Sequence, residues 1–104
     1  MSIEKLRQEY LHLTNEVLPN LARQRKFPVR FNHCFQRIIL DNIFGCCWYD
    51  VLDKRQGAAY QQLNATQLEQ AISLAKTIVS QPDEYIQQLN HNSLRWRGKL
   101  TNDR

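Results

Sequence analysis

Between Asn32 and Lys54 the chain carries Phe35, Ile38, Ile39, Leu40, Ile43, Phe44, Cys47, Trp48, Val51 and Leu52. Ile39, Ile43 and Cys47 step by four, and so do Leu40, Phe44 and Trp48, so the two series lie on different faces of a helix. The stretch is too long for an ordinary strand. A helix that is apolar over most of its circumference must be surrounded by other elements. The pattern therefore predicts a central, buried helix from about His33 to Lys54, capped by Asn32.

The remaining elements read as its cover. Ile3, Leu6, Tyr10, Leu13 and Val17 share one face of a helix over 2–18, with Ser2 as cap and Glu4 in the first turn. Pro19 ends or kinks that helix, or opens a short continuation through Arg25. Pro28 keeps Phe27 out of the helical region, so 26–31 is extended or irregular. Gly57 is the predicted C-terminal cap of the central helix. Thr66-Gln67-Leu68-Glu69 reads as a capping box that starts a third helix, with Leu68, Ala71, Ile72, Ala75, Ile78 and Val79 on its inner face. Pro82, Asp83 and Glu84 open a fourth, with Tyr85, Ile86, Leu89, Leu94 and Trp96 inward and a break at Asn90–Ser93, where Asn92 would cap a final turn. The expected fold is a single small all-α domain over 1–100, with four to five helices around the central one and a frayed tail at 101–104. The three Gly and three Pro suit long regular elements of this kind.

Composition narrows the setting. No apolar run approaches the roughly 20 residues of a membrane span; Ile38-Ile39-Leu40 is cut off by Asp41. The start, Met1-Ser2-Ile3-Glu4-Lys5, lacks the apolar stretch of a signal peptide. Three cysteines, two of them adjacent, do not form a disulfide framework, so a reducing cytoplasm is expected and the Asn64-Ala65-Thr66 sequon is read as chance. There is no CxxC or CxxH spacing for zinc. The P-loop, GxGxxG and GxSxG patterns are also missing. Neither a metal nor a cofactor is expected.

Two constellations carry chemistry. His33, Arg37 and Asp41 stand four apart on the central helix and so stack on one face. One reading is a half-buried Arg37–Asp41 pair that orients neighbouring helices. The other is a polar pocket in which Arg37 holds an anion and His33 moves a proton. The second constellation is a pair of basic windows: Arg23, Arg25, Lys26 and Arg30, and then Arg95, Arg97 and Lys99 around Trp96. Together they hold half of the fourteen basic residues of a chain with net charge +4. Arginines and lysines neutralise phosphates, and an exposed aromatic beside them can stack on a base. The same charges also serve as an ordinary solvated surface. Cys34 lies in the first helical turn beside His33, but consecutive helical residues point about 100° apart and do not pair.

The run His33-Cys34-Phe35-Gln36-Arg37-Ile38-Ile39-Leu40-Asp41-Asn42-Ile43-Phe44 and the terminal Leu89-Asn90…Ser93-Leu94-Arg95-Trp96-Arg97-Gly98-Lys99, with Ala59-Tyr60 and Gln67-Leu68 between them, resemble a group of short bacterial proteins. Some of these carry a GNAT-type acetyltransferase label. The resemblance implies acyl transfer only weakly, because such enzymes are mixed α/β and hold a pyrophosphate on a Q/R-x-x-G-x-G/A loop. Arg55-Gln56-Gly57-Ala58-Ala59 is the nearest stretch, and its glycine comes one place too early.

The leading reading is a non-enzymatic helical binding module whose basic ends, with Trp96, contact a phosphate-bearing or acidic partner, nucleic acid or an acidic protein. A small enzyme or ligand-binding protein with a pocket at His33, Arg37 and Asp41 is the alternative. A protein–protein adaptor using Tyr49, Tyr60 or Trp96 is the third.

Overall fold

The computed structural model describes residues 2–99, and over that span the chain is all-α, with no strand. Helix α1 (Ile3–His12) runs through a single π-helical stretch, Leu13–Val17, into α2 (Leu18–Ala22). The Ser2 hydroxyl accepts from the Lys5 amide at 3.2 Å, as an N-cap does. Pro19 therefore does not end the first helix. It has no N–H to give, and its ring would press on the carbonyl one turn back. The Leu18 amide donates to Leu13 O, one residue further back than in an α-helix, and the turn widens just ahead of the proline. Within that turn the buried Thr14 hydroxyl donates to Tyr10 O at 3.0 Å and accepts from Gln36 Nε2 at 3.0 Å. The irregularity is thereby tied to the next helix.

After the irregular stretch at 26–31 comes α3 (Asn32–Phe44), the central element, packed against α2, the π-helical turn, α5 and α6. Phe35, Ile38, Ile39 and Leu40 are fully or almost fully buried. The helix stops ten residues earlier than its apolar pattern predicts. Gly45 takes a left-handed conformation (φ 72°), and its amide donates to Asp41 O at 2.8 Å, closing the C-terminus. The side chains of Trp48 and Leu52 still pack against the core, but from a 3₁₀ turn (Trp48–Asp50) and an irregular loop. Gly57 lies in that loop (φ 99°) rather than at a helix end. Four-residue steps of apolar residues thus continue past a point where the backbone has already turned.

A short α4 (Ala59–Gln62) leads to α5 (Ala65–Ser80) and α6 (Asp83–Trp96). The capping box at α5 is Asn64 with Gln67, not Thr66 with Glu69. The Gln67 amide donates to Asn64 Oδ1 at 2.8 Å, and the Asn64 amide donates to Gln67 Oε1 at 2.9 Å. Leu63 is buried directly before it, which holds the start of the helix two residues upstream of the predicted one. Helix α6 does not break at Asn90–Ser93. Three of these capping-prone side chains are occupied across the α3–α6 seam: Asn90 and Ser93 take Arg37, and Asn92 Nδ2 donates to Asn42 Oδ1 at 3.1 Å. Side chains engaged elsewhere cannot compete for their own backbone. The buried apolar residues form one core. No helix of the described residues is long and apolar enough to cross a membrane, and the expected fraying at 101–104 lies outside the described residues.

Candidate anion-binding pocket

Helix α3 presents His33, Arg37 and Asp41 along one side, as their spacing requires. The expected Arg37–Asp41 pair is not what forms. Asp41, with no exposed surface, receives four donors. Arg97 Nε is 2.7 Å and Ser93 Oγ 2.6 Å from Oδ2, and Arg97 Nη2 is 3.1 Å and the Trp48 amide 2.8 Å from Oδ1. Arg37 turns to α6 instead, donating from Nη1 to Ser93 Oγ at 2.8 Å and from Nη2 to Asn90 Oδ1 at 2.9 Å. Helical side chains lean toward the N-terminus, and a base placed four residues before an acid is the poorer orientation for a pair. The Arg37 guanidinium therefore reaches Asp41 only through Ser93, and Arg97, just past the end of α6, makes the direct pair. Ser93 links the two arginines by accepting from Arg37 while donating to Asp41.

Two guanidiniums thus share one carboxylate. Burial, reinforced by the charge of Arg97, pulls the Arg37 guanidinium below its ordinary value, whereas the hydrogen bonds that Arg97 donates to Asp41 hold Arg97 above it. Both stay charged across the working pH range. They face a cavity of about 310 Å³ whose other walls include His33, Trp48, Tyr49 and Ala58. Trp48 and Tyr49 meet edge to face at 4.7 Å, and Tyr49 is braced by Arg97 and Lys54 at 4.8 and 4.5 Å from its ring centre. The apolar pattern hides Trp48 as a position on the central helix, and Tyr49 falls within the span predicted for that helix. Gly45 is the one signal in sequence that could have freed them for the pocket.

The basic windows divide. Arg25 donates through Nε to Asp83 Oδ1 at 2.7 Å and through its Nη atoms to Val79 O and Gln81 O, tying the chain after α2 to the α5–α6 junction. That hydrogen bond from Arg25 holds the Asp83 carboxyl below the usual carboxylate range. Lys26 lies beside it, its amide 3.3 Å from Asp83 Oδ2. Arg97 is turned inward as described. Arg95 is exposed, 5.8 Å from the ring centre of a half-buried Trp96, and Lys99 is exposed. Arg23 and Arg30 are exposed and form no ion pair among the described residues. They line a second cavity, of about 410 Å³, together with Phe31 and Asn32. Phe31 is 64% exposed and stacks in parallel on His33, with ring centres 5.9 Å apart.

Other candidates carry less. A groove of about 520 Å³ between α1 and α5 has two of its lining charges paired with each other, Lys76 to Glu9 at 2.8 Å. Cys34, Cys46 and Cys47 are unpaired, and no cluster of three or more His, Cys, Asp or Glu among the described residues could hold a metal ion. No family model, curated protein or solved structure matches the chain, so no comparison bears on the motifs at 33–44 and 89–99.

Proposed function

We propose that the protein is a non-enzymatic binding module that takes a phosphate-bearing ligand in the cavity between Arg37 and Arg97. The observation that carries this reading is the charge count. Arg37 and Arg97 are balanced by Asp41 alone, which leaves an excess positive charge in a concave, partly desolvated site. An anion brought there gains charge-assisted hydrogen bonds from a guanidinium whose present partners, Ser93 and Asn90, are neutral. A phosphate offers three oxygens to such donors, and the aromatic wall of Trp48 suits the organic group attached to it. The reading joins the polar pocket expected at His33, Arg37 and Asp41 to one member of the second basic window.

Binding is favoured over catalysis because, of the two candidate bases His33 and Asp41, the carboxylate is occupied and no hydrogen bond among the described residues orients the His33 ring. Asp41 is sealed from solvent by four donors and cannot serve as a base within reach of a ligand. The unpaired state of all three cysteines supports a reducing cytoplasm as its place of work.

The test is titration of the purified protein with adenosine and uridine monophosphates, monitored by calorimetry and by amide chemical shifts. We expect saturable binding that shifts residues 37, 48 and 97, with Arg37→Met weakening it by at least about tenfold, the value of one lost charge-assisted bond. Shifts confined to other residues, or none at millimolar ligand, would refute the proposal.

A further inference from the structure

The Arg37–Arg97 cavity does not stand alone. His33 is part of its wall, and the ring of His33 stacks on Phe31, which lines the neighbouring cavity with Arg23 and Arg30. The two concavities therefore share a partition made of two parallel rings. His33 lies one turn before Arg37 on α3, a rise of about 6 Å, so the partition stands beside the Arg37 side of the first cavity. Arg23 and Arg30 on the far side have no acidic partner among the described residues, so each is free to meet an anion.

We infer that the ligand is a single-stranded nucleic acid lying across both cavities, with one phosphate on Arg37 and Arg97, an adjacent one on Arg23 and Arg30, and a base stacked on Phe31. This inference rests on the anion reading of the Arg37 pocket. Phe31 decides the class of partner. A phenyl ring that is 64% exposed between two pairs of cations is poorly placed for packing in its own fold. It is well placed for a ligand that alternates anions with flat π-faces, as a single strand does. An acidic peptide supplies the anions without the faces. A duplex keeps its bases stacked on one another and gives Phe31 nothing to hold.

The experiment compares uridine monophosphate with fluorescein-labelled hexauridylate and hexathymidylate, a matched duplex and a glutamate hexapeptide, across a salt series. Single strands should bind at least about tenfold more tightly than the mononucleotide. Their log affinity should fall linearly with log salt at a slope near −0.7 for each phosphate contacted. Phe31→Ala, and Arg23→Ala with Arg30→Ala, should each return the hexamer to mononucleotide strength, and the arginine pair, remote from the first cavity's lining, should leave mononucleotide binding unchanged. Arg37→Met should weaken both. Equal affinity for hexamer and mononucleotide would overturn the inference and leave the pocket reading standing. Equal or tighter binding of the duplex or the peptide would overturn it as well. Loss of all binding, the mononucleotide included, would remove both readings together. Far-ultraviolet circular dichroism of each variant guards against unfolding, and the exposed Phe31 and Arg30 variants keep the test open if another variant fails to fold.

Discussion

The two basic windows look alike in sequence and are used differently. In each, one arginine reaches a carboxylate more than fifty residues away: Arg25 meets Asp83, and Arg97 meets Asp41. Asp83 is about a third exposed and Arg25 nearly a quarter, so water shares their attraction, and the pair acts as a clasp between the chain after α2 and the α5–α6 junction. Asp41 has no exposed surface and Arg97 only 12%, and a second arginine stands beside them without a carboxylate of its own. Ion pairs of the same type, at the same 2.7 Å, therefore do different things. The exposed pair positions chain segments. The buried one ties α3 to the end of α6 and leaves the neighbouring Arg37 with neutral partners only.

Mutation separates the two. The largest effect is expected at Asp41→Ala, which strands Arg97, Ser93 and the Trp48 amide without their acceptor. It should cost on the order of 3 to 5 kcal/mol in chemical denaturation, a large part of the stability of a small domain. A loss below about 1 kcal/mol would show that the carboxylate is not the hub of this seam. Arg97→Met comes next, at about 2 kcal/mol, because Ser93 and the Trp48 amide still hold the carboxylate. Arg37→Met should change stability by less than about 1 kcal/mol, since its charge is desolvated without direct compensation, while nucleotide binding weakens by at least about tenfold. If it unfolds the protein, Arg37 belongs to the scaffold and the contrast with Arg97 fails.

The smallest effect is expected at Asp83→Asn, and its signature is its pH dependence. The carboxyl of Asp83 is depressed in the folded chain by its hydrogen bond from Arg25. Its contribution is thus fully present above the ordinary carboxylate value of about 3.9 and is lost as pH falls below that, through the lower folded value. The melting temperatures of wild type and Asp83→Asn should differ at neutral pH and converge in strong acid. A difference independent of pH would mean that the clasp depends on how the Arg25 guanidinium is held over the Phe27 ring, 4.8 Å from its centre, instead of on the charge of Asp83.

Much of this frame was legible before any coordinates. The inner faces of α1, α5 and α6 follow for the most part from three- and four-residue steps: Leu6, Tyr10, Leu68, Ala71, Ile72, Ala75, Ile78, Ile86 and Leu89 are buried, whereas Ile3 and Val79, at helix ends, are exposed. The candidate site was legible only in half. His33, Arg37 and Asp41 were recognised as one face because helical spacing is local. Trp48 reads as a position on the central helix because the apolar rhythm runs on past Gly45, and Tyr49 reads only as surface for a protein partner. Arg97 was placed on the surface with its neighbours because nothing adjacent in sequence distinguishes it from Arg95.

Local chemistry, then, determined that this chain is helical, where its apolar stripes lie, and that proline and glycine punctuate it. Those preferences act within one or two turns, and a sequence displays such neighbours directly. Tertiary structure alone decided which capping pair starts α5, whether Pro19 breaks a helix, and which arginine answers Asp41. Each of those outcomes depends on a partner far along the chain: buried Leu63 seated in the core, Gln36 reaching Thr14 across 22 residues, and Arg97 meeting Asp41 across 56. Where several local solutions are nearly equal in free energy, long-range contacts of a kcal/mol or so are enough to choose among them.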